Sequence, residues 1–194
     1  MTAQGLGKEA IEAATAVVAM FNYLTRVADA TGIEFDYPTL LPVFEPESGR
    51  PLAPQPDRTA WPVAAAELRT FRYFPALGEA WQRWRDYVLE STEPLTRRER
   101  HVLARAAAEE CCNRWRADLL NEYTPQNAAE SVLAEFARKL SRRPWQMRAA
   151  DLDALRASGR AEPALLHAIA VVALQNADWR LAMGRLVGFR SRPG

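Results

Sequence analysis

Cys111 and Cys112 are the only two cysteines among the 194 residues, and they are adjacent. Any thiol chemistry has to start there. Neighbouring cysteines close a disulfide only in a strained ring, and on a helix their Cβ directions diverge by about 100°. Three readings of the pair follow. It can be two small buried residues beside Trp115. It can hold one reactive thiolate, assisted by Arg114 or Arg116. A metal site lacks a second cysteine or a histidine at ligand spacing. The titratable candidates upstream are Glu99 and His101. His101 precedes Cys111 by ten residues, about 15 Å along a helix, so the two cannot touch within one helix. The catalytic candidates are therefore Cys111, Cys112, Glu99 and His101, with no cofactor and no metal indicated. Glu109 and Glu110 flank the thiols and need Arg105, Arg114 or Arg138 as partners if buried. His167, at the start of an apolar run, reads as a satisfied core or interface histidine.

The element that must position these groups is a helix over 96–123. Thr96 followed three residues later by Glu99 is a capping box. Ala104, Ala108, Cys111, Cys112, Trp115 and Leu119 form one stripe, while Val102, Ala106, Ala117 and Leu120 form another. A helix apolar on two sides packs on two sides, which places this one near the centre of the fold.

Around it the chain reads as all-α. Apolar spacing predicts helices over 8–31, 61–73, 75–90, 125–140, 148–158 and 163–187. Gly32 and Gly159 are the stops for two of them, and Thr124–Pro125 is the start of the fourth. Leu77, Trp81, Trp84 and Val88 share one side of 75–90 and read, with Phe71 and Phe74, as core or subunit interface. Residues 33–60 carry six prolines, which no helix accommodates. Phe35, Tyr37, Leu40, Leu41, Val43 and Phe44 make that stretch too apolar for a free linker, so it reads as an extended arm over its own core or a partner subunit, with a partly disordered linker as the other reading. Residues 190–194 read as a frayed tail.

Apolar residues make up 48% and charged residues 25% of the chain, and the formal net charge is +1. That balance gives no bulk electrostatic case for nucleic acid. No apolar run is long enough to span a membrane. The N-terminus has no basic region followed by an apolar core, and the sparse cysteines fit a reducing cytoplasm.

The first and last helices share a pattern. Ala16-Val17-Val18-Ala19, Asn22, Arg26 and Ala28 recur as Ala170-Val171-Val172-Ala173, Asn176, Arg180 and Ala182. An Asn and an Arg four apart lie on one helical face and can share a partner. They read as a polar network closing a helix end, with binding as the other role open to them.

Taken in order, residues 73–187 resemble the carboxymuconolactone decarboxylase and alkylhydroperoxidase D-like superfamily. The resemblance is carried by Leu95-Thr96-Arg97-Arg98-Glu99-Arg100, by the run from Leu133 to Leu140, by Ala150-Asp151-Leu152-Asp153-Ala154-Leu155, and by Ile169-Ala170-Val171-Val172-Ala173 with Asn176. Phe21-Asn22-Tyr23-Leu24-Thr25-Arg26-Val27-Ala28-Asp29 is similar to the closing helix of the family's peroxidase-related branch. Residues 1–32 thus resemble the end of a second, truncated copy, 33–60 the arm, and 61–189 the family's helical domain. The resemblance implies an alkylhydroperoxidase-like bundle and a homo-oligomer. Active members carry C-x-x-C-x-x-x-H on the central helix, with an upstream glutamate. Here, with Cys111 first, Glu99 is in place but Arg114 and Asp118 replace the second cysteine and the histidine. With Cys112 first, Trp115 and Leu119 do so, and an ungapped helix start puts Asn113, Arg116 and Leu120 on the motif and His101 on the glutamate. No register restores it. The implied function is a diverged, oligomeric, non-catalytic or small-molecule-binding member. The alternatives are a peroxidase- or decarboxylase-type enzyme using one cysteine or none, and a partner subunit for a relative with an intact site.

Overall fold

The computed structural model of the chain describes residues 7–33, 71–111 and 114–189, with side chains except at 114–115 and 185–189. The arm at 34–60, most of the expected helix at 61–73, and the tail lie outside these residues. The described residues hold seven α-helices and no strand: α1 Lys8–Thr31, α2 Pro75–Glu90, α3 Arg97–Glu110, α4 Arg114–Leu119, α5 Ala128–Arg142, α6 Ala149–Ala157 and α7 Glu162–Phe189. Short 3-10 turns at Asn121–Tyr123 and Pro144–Gln146 link them. No described helix is long and apolar enough to cross a membrane.

Local chemistry accounts for the ends. α1 stops at Gly32, whose left-handed φ of 66° costs glycine little. α3 starts at Thr96 with both halves of the capping box in place. α6 stops before Gly159, at φ 92°.

Two expectations need correction. The helix expected over 96–123 ends at Glu110, with Cys111 as its C-cap, and the chain resumes in the separate short helix α4. The helix expected to start at Thr124–Pro125 begins at Ala128. Its N-cap is Asn127, whose side chain accepts the Glu130 amide at 2.8 Å. Thr124 is held outside the helix, because Arg98 donates to its carbonyl at 2.8 Å.

α3 is central as the sequence implied. Val102, Leu103, Ala104, Ala106, Ala107 and Ala108 are all buried, and α2, α5 and α7 pack around it. The small side chains let those helices approach closely. α1 packs along α7. Thr15 meets Gly184, whereas Arg26 shares Ser141 with Asn176, so the two helices run antiparallel. On α2, Trp81 and Val88 enter the core, while Leu77 and Trp84 from the same expected stripe stay exposed.

Candidate functional site

The four sequence candidates do not assemble. Glu99 and His101 lie in the first turns of α3, and Cys111 caps its far end. A twelve-residue separation on a helix spans about 18 Å. Cys112 falls outside the described residues.

Each group at the N-terminal end has a structural partner. Glu99 closes the capping box, accepting from the Thr96 amide at 2.8 Å, and pairs with Arg160. Burial opposes its charged form, but the Thr96 and Arg160 contacts prevail and hold its carboxyl below the usual range. His101 is buried, meets Tyr123 edge-on at 4.6 Å between ring centroids, and lies 3.5 Å from Glu90. Burial pushes its imidazole below the usual range, and Glu90 only partly offsets this.

His167 is satisfied, as its surroundings in the sequence implied. The fully buried Arg100 donates to its Nδ1 at 2.9 Å, leaving Nε2 to carry the proton 3.4 Å from the Tyr87 hydroxyl. Burial, then the Arg100 charge, lowers its pKa, so the neutral tautomer fits. Glu109 finds two of its expected partners, Arg105 at 2.9 Å and Arg138 at 3.3 Å.

The arrangement with most chemical potential is at the other end, where α1, α3, α5 and α7 meet. Cys111 Sγ lies 3.1 Å from Asn176 Oδ1. The orientation of that amide is fixed. Its Nδ2 lies 2.9 Å from the Val172 carbonyl, which can only accept, and 2.9 Å from Ser141 Oγ. The amide oxygen therefore faces the sulfur, and only a protonated thiol can donate to it. The C-terminal end of α3 also disfavours a thiolate on its cap. Opposing both is Arg26, which is buried, donates to the carbonyls of Ser141 (3.3 Å) and Asn22 (3.2 Å), and keeps Nε without a partner among the described residues. Burial pushes its guanidinium below the usual range; Cys111 raises it, Arg180 lowers it, and Asp29 raises it. An arginine stays charged through such shifts.

Asn176 and Arg26 are thus neighbours of Cys111, with Ser141 behind them; the expected Arg114 side chain lies outside the described residues. The signal for two of them was the repeat, which singles out an Asn and an Arg on each long helix. Nothing local marked Ser141.

A second concavity opens between α1 and α7. It holds about 320 Å³ and is lined by Ile11, Ala14, Thr15, Val18, Arg180, Met183 and Gly184. Among the described residues Arg180 makes no hydrogen bond or ion pair, and no group of three or more His, Cys, Asp or Glu side chains could hold a metal ion. Comparison with protein-family models, curated proteins and solved structures gives no match to this chain.

Proposed function

We propose that the chain is a diverged member of the carboxymuconolactone decarboxylase and alkylhydroperoxidase D-like superfamily. It keeps the helical scaffold, with a Pro-rich arm at 33–60, and has lost the dithiol peroxidase reaction. It acts as an oligomeric, non-catalytic or small-molecule-binding member. The observation that carries this reading is the partner that each candidate group already holds. Glu99 and His101 are committed to Thr96, Arg160, Glu90 and Tyr123 at one end, and Cys111 donates to a fixed amide oxygen at the other. A peroxidatic thiol needs a proton acceptor within hydrogen-bond reach, directly or through one water. Among the described residues the acceptor shown beside Cys111 is the Asn176 amide, which cannot take the proton.

A second reading, a peroxidase- or decarboxylase-type enzyme using a single cysteine, is favoured by one feature. The Arg26 charge lies within electrostatic reach of Cys111 and would stabilise a thiolate. Thiol labelling separates the two. In Cys112→Ser, Cys111 should react with an aromatic disulfide reagent at neutral pH at least about tenfold more slowly in the native chain than in denaturant. Native labelling as fast as in denaturant would support the single-cysteine enzyme and sink the first reading.

A further inference from the structure

Residues 34–70 leave α1 at one end and come back to it at the other. The exit is Gly32, whose left-handed φ turns the chain off the helix at its C-terminus. The return is at residues 71–73. The backbone amides of Arg72 and Tyr73 donate to the buried Glu12 carboxylate at 3.1 and 2.9 Å, and Phe71 is buried beside Trp81 and Gly78. Glu12 and Gly32 stand about 30 Å apart along the helix. The connection therefore has to make up the length of α1.

The outer side of α1 along that line is apolar. Ile11, Thr15, Ala19, Arg26 and Ala30 are buried toward the other helices. At about 100° per residue, Val17, Phe21 and Leu24 fall on the opposite side, with Met20 beside them. All four are exposed among the described residues, between 43% and 63%. Val18 sits on the flank and lines the groove with Arg180 instead. Between 13 and 28 the only charged side chain on α1 is Arg26, which is buried, so the stripe is uncharged.

We infer that residues 35–44 of the same chain dock on this stripe as an extended strap. The length and composition of the connection carry the choice. Its apolar side chains, from Phe35 to Phe44, begin three residues beyond Gly32. At about 3.3 Å per extended residue, 33–44 reach roughly 40 Å, while Val17 lies about 22 Å back from Gly32. Beyond Phe44 the sequence turns polar, with Leu52 and Ala53 the only apolar residues among 45–59. The apolar part thus starts where the stripe starts, and the polar part closes the remaining distance. A strap cannot pair its backbone with a helix, whose N–H and C=O groups are bonded internally. Pro38 and Pro42 each remove a donor that would need a partner, and both hold the strap extended. The other segments outside the described residues fit less well. Residues 1–6 start from the far end of α1, and the contact of Gly184 with Thr15 directs 190–194 to that end too. Residues 61–70 return there and bring Glu67 and Arg69, for which an uncharged stripe has no partner. The short tether at Gly32 gives this chain's own strap the advantage of local concentration over a second copy's. The inference goes beyond the function proposed above, and peroxide turnover would leave it untouched.

The test is limited proteolysis of the native full chain, with products read by mass spectrometry. Chymotrypsin should cut after Phe44 at least about tenfold more slowly in wild type than in the double variant Phe21→Glu, Leu24→Glu. Both residues are exposed, so the helices stay folded, as a thermal melt would verify. Leu40→Asp with Leu41→Asp leaves every described helix untouched and should give the same gain. A glutamate-specific protease should cut after Glu47 equally fast in all three proteins. Equal cleavage after Phe44 in wild type and the stripe variant overturns the inference, and so does a rise of equal size after Glu47. A gain in the stripe variant without one in the Leu40, Leu41 variant overturns it in favour of another occupant. A wild-type assembly in sedimentation that the stripe variant dissolves overturns it and gives the stripe to a second copy.

Discussion

Val17 and Val18 on α1 are 56% and 57% exposed, whereas Val171 and Val172, at the same places in the repeat on α7, are fully covered. Arg26 on α1 is buried against Ser141, whereas Arg180 on α7 lies in an open groove. One pattern of residues thus gives two environments. What differs is the set of helices packed outside each one: α2, α3, α5 and α6 lie on α7, while α1 has α7 itself, with smaller contacts to α5 and to the turn at Pro144–Gln146. The motif specifies a face; the neighbours decide whether that face becomes core.

The sharpest way to break this comparison is to put a charge on each face. Val172→Asp should cost more than about 4 kcal/mol, because it buries a carboxylate with no room for solvent. Val18→Asp should lie within about 0.5 kcal/mol of wild type. Urea unfolding of both variants checks this, and equal losses would show that Val18 is as enclosed as Val172. The arginines give the next largest contrast. Arg26→Ala should cost about 2 kcal/mol, since it removes charged hydrogen bonds to carbonyls and leaves a hole among four helices. Arg180→Ala should be near neutral by the same assay.

The place where the two helices touch offers a third test. A methyl group at Gly184 would overlap the side chain of Thr15, which is buried and tied to the Ile11 carbonyl at 2.7 Å. Gly184→Ala should cost about 1–3 kcal/mol by overpacking. Adding Thr15→Ala should recover part of the loss, and thermal melts of the single and double variants would show it. If Gly184→Ala melts like wild type, the two helices do not approach that closely.

Much of this was legible in the sequence, for local reasons. α1, α2, α6 and α7 follow apolar periodicity between glycine, proline or serine punctuation, and the Thr96–Glu99 box carries its own mechanism. The stop at Cys111 was not legible, because no glycine or proline interrupts 97–123 and a periodicity reading runs through it. The start of α5 went to Thr124–Pro125, a sound local signal. The winner was Asn127 with Glu130, chosen by a tertiary contact: Arg98 binds both Glu130 and the Thr124 carbonyl. The surroundings of Cys111 were legible only through the repeat. Arg26 and Asn176 come from opposite ends of the chain, and nothing near the cysteine announces them.

The smallest expected effect is on pH dependence. The imidazoles of His101 and His167 are both lowered by burial. The unfolded chain therefore binds protons more readily, and stability falls as pH drops through the unfolded histidine range of about 6.5. It levels off below the lowered folded values. His167→Asn, which keeps an acceptor near Arg100, should flatten part of that decline in melts taken between neutral and mildly acidic pH. An unchanged slope would mean that His167 is not held neutral.

The central claim is that Cys111 holds a proton for Asn176 and takes no part in peroxide turnover. The direct measurement is hydroperoxide consumption by the reduced full-length chain in the presence of a dithiol reductant. The expected result is no rate above the protein-free background, with wild type and Cys111→Ser indistinguishable. A saturable rate that Cys111→Ser abolishes would contradict it.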